Sequence, residues 1–253
     1  MCSYAIIWDL ETVVDCDAFK RMQGQLDLSD EDARNLHGDK FAKLPLHKIV
    51  CIGALVAHRD DKSWKVIALG APHTAQRSER EIIEAFVGRI SDLRPQLVSF
   101  NGHGFDLPVL RYRTMLHSLS APALNCRPYF NRYSEDCLDL CDALSSFDAR
   151  SKMSLDGLCR VLGIAGKPVG IDGSKVSEYV AEGRIQEVAD YCETDVANTY
   201  LLFLRYELFR GKIDVAQHNA SVSALSDHIR MKHAGRNHLA SFLEPETICN
   251  LAF

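Results

Sequence analysis

The sequence predicts an α/β protein with a central mixed β-sheet flanked by α-helices, and three observations predict it. Runs of β-branched and bulky apolar residues recur at 4–10, 49–58, 63–69 and 96–100. Helical spacing of apolar residues appears at 78–90 and again over a long stretch from about Ile185 to Phe209. The order matters as well: strands come first, then one strand interleaved with helices, which gives a mixed sheet around one core.

The elements follow in turn. Residues 4–10 read as a strand. Residues 15–47 are polar, with Gly24, Gly38 and the acidic run 29–32, and read as an insertion. The strands at 49–58 and 63–69 flank the turn-forming Arg59-Asp60-Asp61-Lys62 and form a hairpin. Ser78, with Glu81 three residues later, makes a capping box for a helix whose apolar positions are Ile82, Ile83, Phe86, Val87 and Ile90. A short buried strand at 96–100 leads through NGHGFD into a helix ending near His117. Residues 119–134, with Pro122 and Pro128, read as a long loop, and from about Asp136 the pattern is helical apart from a break at 163–168. A weaker helical pattern runs through 214–235. The chain thus divides into 1–210 and a C-terminal helical extension, 211–253, packed on it. There Leu239, Phe242 and Leu243 read as a buried helix face.

The 253 residues, 47% hydrophobic and 25% charged, have the composition of an ordinary globular protein. No apolar run approaches the roughly 20 residues that span a bilayer, and no secretory signal is visible. Nine cysteines without a C-x-x-C pair fit reduced thiols in the cytoplasm, and Cys137 and Cys141 suit neighbouring helical positions. A net charge of −5 argues against a protein that merely coats nucleic acid. It leaves open an enzyme that meets phosphates through bound cations.

The stretch IIWDLET raises a problem. Asp9 and Glu11, two apart on a strand, point to the same face at the end of an apolar run, where like charges repel unless a cation lies between them. Further carboxylates occur elsewhere. Asp106 ends NGHGFD, where it reads equally as a helix cap or as a ligand. Gly102 and Gly104 there permit positive φ and close approach. Asn101 offers a polar contact beside phosphate, and Phe105 a flat face for a base. In ADYCETDVANTY, Tyr191 and Asp195 are helical neighbours with Val188, Val196, Tyr200 and Leu204 on the opposite, core-facing stripe. Four carboxylates and a tyrosine are the inventory for two hard divalent cations working on a phosphodiester.

The segments WDLET, NGHGFD and YCETD resemble, in order and internal spacing, the three motifs of the DEDD superfamily of 3′–5′ exonucleases. Tyr191, four residues before Asp195, matches the tyrosine (DEDDy) branch; the histidine branch would carry His where this chain has Asp190. More closely, FAKLPLHKIVCIGAL, LVSFNGHGFDLPVLRYR and DYCETDVANTYLLFLRYELFRG resemble bacterial predicted 3′–5′ exonucleases related to the proofreading domain of family-B DNA polymerases. The resemblance implies a ribonuclease H-like fold and two divalent ions, Mg²⁺ or Mn²⁺. It implies that Asp9 bridges both ions, that Glu11 and Asp195 complete the site holding the attacking water, that Asp106 holds the second ion, and that Tyr191 orients the water. Leu10 and Thr12 are then expected near the terminal nucleotide. The expected substrate is a single-stranded 3′ end, DNA or RNA, and the product a 5′-mononucleotide; self-association or docking to a replication or repair partner is a further expectation.

Four readings stay secondary. Lys40, Lys43 and His47 in the insertion, with Lys48 just beyond it, read as part of a solvated loop in preference to phosphate contacts. GIAGKPVGIDGSK, 163–175, lacks the spacing of a phosphate loop and reads as a connector in which Lys167 and Lys175 are candidate contacts to the nucleic-acid backbone. Asp139 and Asp142 read as a solvated helix face in preference to a support for the site. A non-catalytic binding module is the weakest alternative, since all four acids and the tyrosine are present.

Overall fold

The computed structural model describes residues 3–38, 40–61, 63–164, 173–232 and 236–243. Five strands form one sheet: β1 (Tyr4–Val14), β2 (His47–Arg59), β3 (Trp64–Gly70), β4 (Gln96–Ser99) and β5 (Cys137–Asp139), in the order β3-β2-β1-β4-β5. The meander β1-β2-β3 is antiparallel, whereas β4 and β5 add parallel to β1. Strand alternation assigns the faces. Ala5 and Ile7 pack beneath helix α8 (Ile185–Phe209), with Val196, Tyr200 and Leu204. Ile6, Trp8 and Leu10 pack on the other face against α3 (Glu79–Leu93) and α4 (Asp106–Leu116). Asp9 and Glu11 continue the odd-numbered series and therefore belong to the α8 face.

Helix α9 (Val215–Lys232) lies over β3 and α8, and its Val222, Leu225 and Ile229 share that core with Leu239 and Phe242. Arg236 and His238, just before them, bond Glu193 on α8, at 3.5 and 2.8 Å. No helix among the described residues is long and apolar enough to cross a membrane.

The hairpin, the capping box of α3 and the span of α8 agree with the sequence reading. Two details do not. The polar segment 15–47 contains two short helices, α1 (Cys16–Gln23) and α2 (Asp30–His37), capped by Asp15 and Ser29 and packed around Phe19, Ala33 and Leu46. Cys137 to Asp139 are a strand, three residues being too few for alternation to show; Asp139 then caps α5 (Leu140–Leu144). Cys137 and Cys141 accordingly do not share a helix. The connector at 163–175, which follows α6 (Leu155–Val161), lies partly outside the described residues, Lys167 with it, while Lys175 is exposed at the start of α7 (Val176–Ala181).

A buried charge network ties the insertion to the sheet. Arg113 of α4 donates to Glu79 Oε2 at 2.6 Å and to Asp15 Oδ2 at 2.5 Å. Glu79 also accepts the Ile49 amide at 2.7 Å, beside the bulge where β2 shifts register against β1. Burial works against the Asp15 charge, but the Ala18 amide and the Arg113 guanidinium outweigh it and hold Asp15 below the usual carboxylate range. Removing the cation strands two buried carboxylates. Arg113→Leu is therefore expected to cost about 3–5 kcal/mol in urea unfolding; a loss under about 1 kcal/mol would contradict this reading of the network.

Candidate functional site

Parallel pairing between β1 and β4 runs from Ala5↔Gln96 to Ile7↔Val98, and β1 then continues alone on that side. Beyond it, the Leu10 amide donates to Asp106 Oδ1 at 2.9 Å, with Asp106 at the first turn of α4. One hydrogen bond thus fastens Asp106 to the backbone between Asp9 and Glu11. Asp106 is therefore not the cap of its own helix; the preceding residue, Phe105, occupies that position and makes no side-chain cap bond.

The loop carrying Asp106 is held by Asp139, which accepts the amides of Asn101 at 2.8 Å and His103 at 3.0 Å while capping α5. Asp142 is likewise buried, bonded to Arg132 at 2.7 Å and Lys152 at 2.9 Å. The solvated-face reading of both aspartates is thus corrected, and Asp139 supports the site as a loop anchor. The loop glycines also differ from expectation, since Asn101, not Gly102 or Gly104, carries the positive φ. Gly102 is required for space: a Cβ there would meet Ser99 Oγ at 2.3 Å and come within 3.4 Å of Asp106 Oδ2.

From the other side comes α8. Gly53, opposite Asp9 in the β1–β2 register, lets this helix settle close to the sheet; a Cβ on it would lie 2.6 Å from Cys192 Sγ and 3.0 Å from Val196 Cγ2. Cys192 Sγ lies 3.8 Å from Asp9 Oδ2, and ligand atoms of Asp9, Glu11 and Cys192 fall within 4.8 Å of one another. On the same helix Tyr191 hydrogen-bonds Asp195 and feels the carboxylates of Glu11 and Asp9 as well. Asp9, Glu11, Tyr191 and Asp195 are therefore brought together, and Asp106 is joined to them through Leu10.

Leu10 is buried in the α3/α4 core and meets the site through its amide. Thr12 Oγ1 bonds His47 Nδ1 at 2.9 Å, and the His47 Nε2 sits 3.2 Å from the Ala42 carbonyl. Burial lowers the His47 pKa, so the ring is a neutral anchor for Thr12. Phe105 stacks edge-on with His47 at 4.8 Å between centroids. Asn101 accepts from Lys152 Nζ through its Oδ1 at 2.8 Å, and its amide donates to Asp139. Sequence reasoning missed Cys192, Gly53 and the anchoring of the loop by Asp139. Gly53 had a signal, a glycine inside a strand often marking close approach by another backbone; Cys192, between Tyr191 and Asp195, had none.

The electrostatics fit a divalent cation. Burial, then the negative charge of Asp139, raises Asp106 to about 7, against the partial relief given by the Leu10 amide. Burial, then Asp195, Glu11 and Asp9, push Tyr191 upward, so its hydroxyl keeps its proton. Oxygen-rich donors of this kind suit hard ions such as Mg²⁺ or Mn²⁺. The Cys192 thiol, raised by its hydrogen bond with Cys51, by burial and by the same carboxylates, stays neutral beside them.

The acidic site on this sheet is suited to divalent cations, and comparison with known proteins places the chain. Residues 39–246 match the family described as predicted 3′–5′ exonucleases related to the exonuclease domain of PolB, and the chain belongs to that family. The match begins after Asp9 and Glu11, takes in Asp106, Tyr191 and Asp195, and runs across residue 210. The catalytic subunit of DNA polymerase epsilon from Eremothecium gossypii is 26% identical over 140 residues, 52% of this chain and 6% of that one. The family B DNA polymerase of the hyperthermophilic archaeon Pyrobaculum calidifontis superposes with a TM-score of 0.50 at 16% identity, over 93% of this chain and 29% of the polymerase. The chain thus spans under a third of either relative. E. coli exonuclease I in complex with a dA16 oligonucleotide overlaps 85% of this chain and 47% of its own at 15% identity, with a TM-score of 0.37, too loose to argue from. The ribonuclease H-like α/β fold expected from the motifs is the fold observed.

Asp106 supplies a pH test. Its folded pKa, about 7, lies above its ordinary value near 4. The neutral acid therefore stabilises the fold fully below about pH 4, and that contribution is lost as pH rises towards 7. In EDTA, melting temperatures between pH 5 and 7.5 should fall more for the wild type than for Asp106→Asn, and Mn²⁺ should restore more stability to the wild type at pH 7.5 than at pH 5. Parallel pH profiles for the two proteins would contradict the assignment.

Proposed function

We propose that the protein hydrolyses phosphodiester bonds one at a time from the 3′ end of single-stranded nucleic acid, DNA foremost, and releases 5′-mononucleotides. Family membership supports the reaction class. The observation that carries the reading is the convergence of acids from one strand and two helices: Asp9 and Glu11 together on β1, Asp106 of α4 fastened to the Leu10 amide, and Asp195 of α8 beside Tyr191. In this reading Asp9, Glu11, Asp106 and Asp195 hold two divalent ions, Mg²⁺ or Mn²⁺. Bound there, the ions supply electrostatic stabilisation of the charge that grows on the attacking and leaving oxygens.

The chain's own groups do the rest. Tyr191, kept protonated by burial and by three carboxylates, orients the attacking water through its hydroxyl and does not act as a free base. Water adds to phosphorus as the bond to the 3′-oxygen of the penultimate nucleotide breaks. The water's proton is in balance with the one the departing 3′-hydroxyl gains. Thr12, set by His47, and the Phe105 ring flank the place of the terminal nucleotide. Residues 1–210, with the 15–47 insertion, are the proposed catalytic unit and 211–253 its packed extension; the thiol-rich composition accords with a cytoplasmic setting. Docking to a larger replication or repair assembly belongs to the same proposal.

A time course on 5′-labelled single-stranded DNA and RNA of matched sequence tests this. A descending ladder that needs Mg²⁺ or Mn²⁺ is expected, slowed roughly 10³-fold or more by Asp9→Ala and roughly 10²-fold by Tyr191→Phe. No shortening in either ion, with strand binding intact, would sink the catalytic reading. The faster of the two strands identifies the preferred sugar.

A further inference from the structure

Phe41 is 77% exposed, unusual for a phenyl ring, yet it does not hang loose in solvent. Its ring lies 5.1 Å from that of His47 and 5.8 Å from that of Phe105, while His47 and Phe105 meet edge-to-face at 4.8 Å. The two inner rings are themselves fixed. His47 is bonded to Thr12 and to the Ala42 carbonyl, and Phe105 immediately precedes Asp106, whose carboxylate is fastened to Leu10. Phe41 is thus the outermost ring of a three-ring cluster built onto the rim of the acidic site, and the 15–47 segment carries it there.

Charge on that rim has the sign the site itself lacks. Lys40 and Lys43 flank Phe41, both are exposed, and neither forms an ion pair among the described residues. A fixed aromatic face beside unpaired ammonium groups is the pairing used to hold single strands, the ring taking a base and the cations the phosphates. A base paired inside a duplex is stacked on both faces and has none free for a ring. We propose that Phe41 is the stacking platform for one of the last two bases of a single-stranded 3′ end, with Lys40 and Lys43 contacting the adjoining phosphates. This rests on the exonuclease reading above and deepens it, giving the 15–47 segment a part in substrate selection.

The test combines two variants and two substrates. Phe41→Ala should leave hydrolysis of a mononucleotide ester, thymidine 5′-p-nitrophenyl phosphate, within about twofold, because no neighbouring base is present to stack. For a single-stranded 12-mer of thymidylate it should raise KM about fivefold or more at unchanged kcat, the range that loss of one base–aromatic contact gives. Phe41→Trp reports directly, since the chain's two tryptophans, Trp8 and Trp64, are buried. In EDTA the indole introduced there should be quenched saturably by the 12-mer, and much less by a strand abasic at its last two positions. An unchanged KM in Phe41→Ala, an equal fall on both substrates, or an indole indifferent to the strand would each overturn the platform. If the wild type cleaves neither substrate the exonuclease reading fails by itself, and the quenching in EDTA still decides whether Phe41 binds a strand.

Discussion

The bond from the Leu10 amide to Asp106 is the constraint on which the site depends. A strand that outruns its neighbour leaves an amide facing empty space, and a buried amide without an acceptor is costly. Here the acceptor is a carboxylate delivered by the first turn of α4. The same bond therefore ends the parallel half of the sheet, seats α4, and draws a third negative charge to the level of Asp9 and Glu11. Burial beside Asp139 makes that charge unfavourable, as its raised pKa records. The energetic conflict within the site is the one a divalent cation relieves.

Other parts of the fold serve this point. Asp139 gathers the loop amides so that Asp106 arrives at a fixed place. Gly53 lets α8 approach the sheet opposite Asp9, which brings Tyr191 and Asp195 over the strand. On the far side of α8, Glu193 is held by His238 and Arg236, so the C-terminal segment braces the helix from behind. The Arg113 network fixes α4, α3 and the root of the insertion to one another.

Much of this was legible in the sequence, for identifiable reasons. Asp9 and Glu11 stood out because period-two alternation in an apolar strand makes paired acids conspicuous, and Tyr191 and Asp195 because a four-residue helical spacing does the same. The capping box located α3 to the residue. What escaped was whatever depends on contacts between distant segments. The strand β5 is too short to carry a pattern and exists because β4 offers it an edge. Asp139 and Asp142 resemble solvated helix residues until the loop amides and the side chains of Arg132 and Lys152 are seen around them. The helices of 15–47 are short and polar, stabilised by caps and by a small core that local pattern does not announce.

The central claim is that these acids form a site for two divalent ions. Titration of the metal-free protein with Mn²⁺, followed by electron paramagnetic resonance of the free ion, tests it most directly. The account predicts two ions bound per chain at pH 7.5 in the presence of a 5′-mononucleotide, with the pair lost in Asp9→Ala. Two ions retained by that variant, or none bound by the wild type, would contradict it.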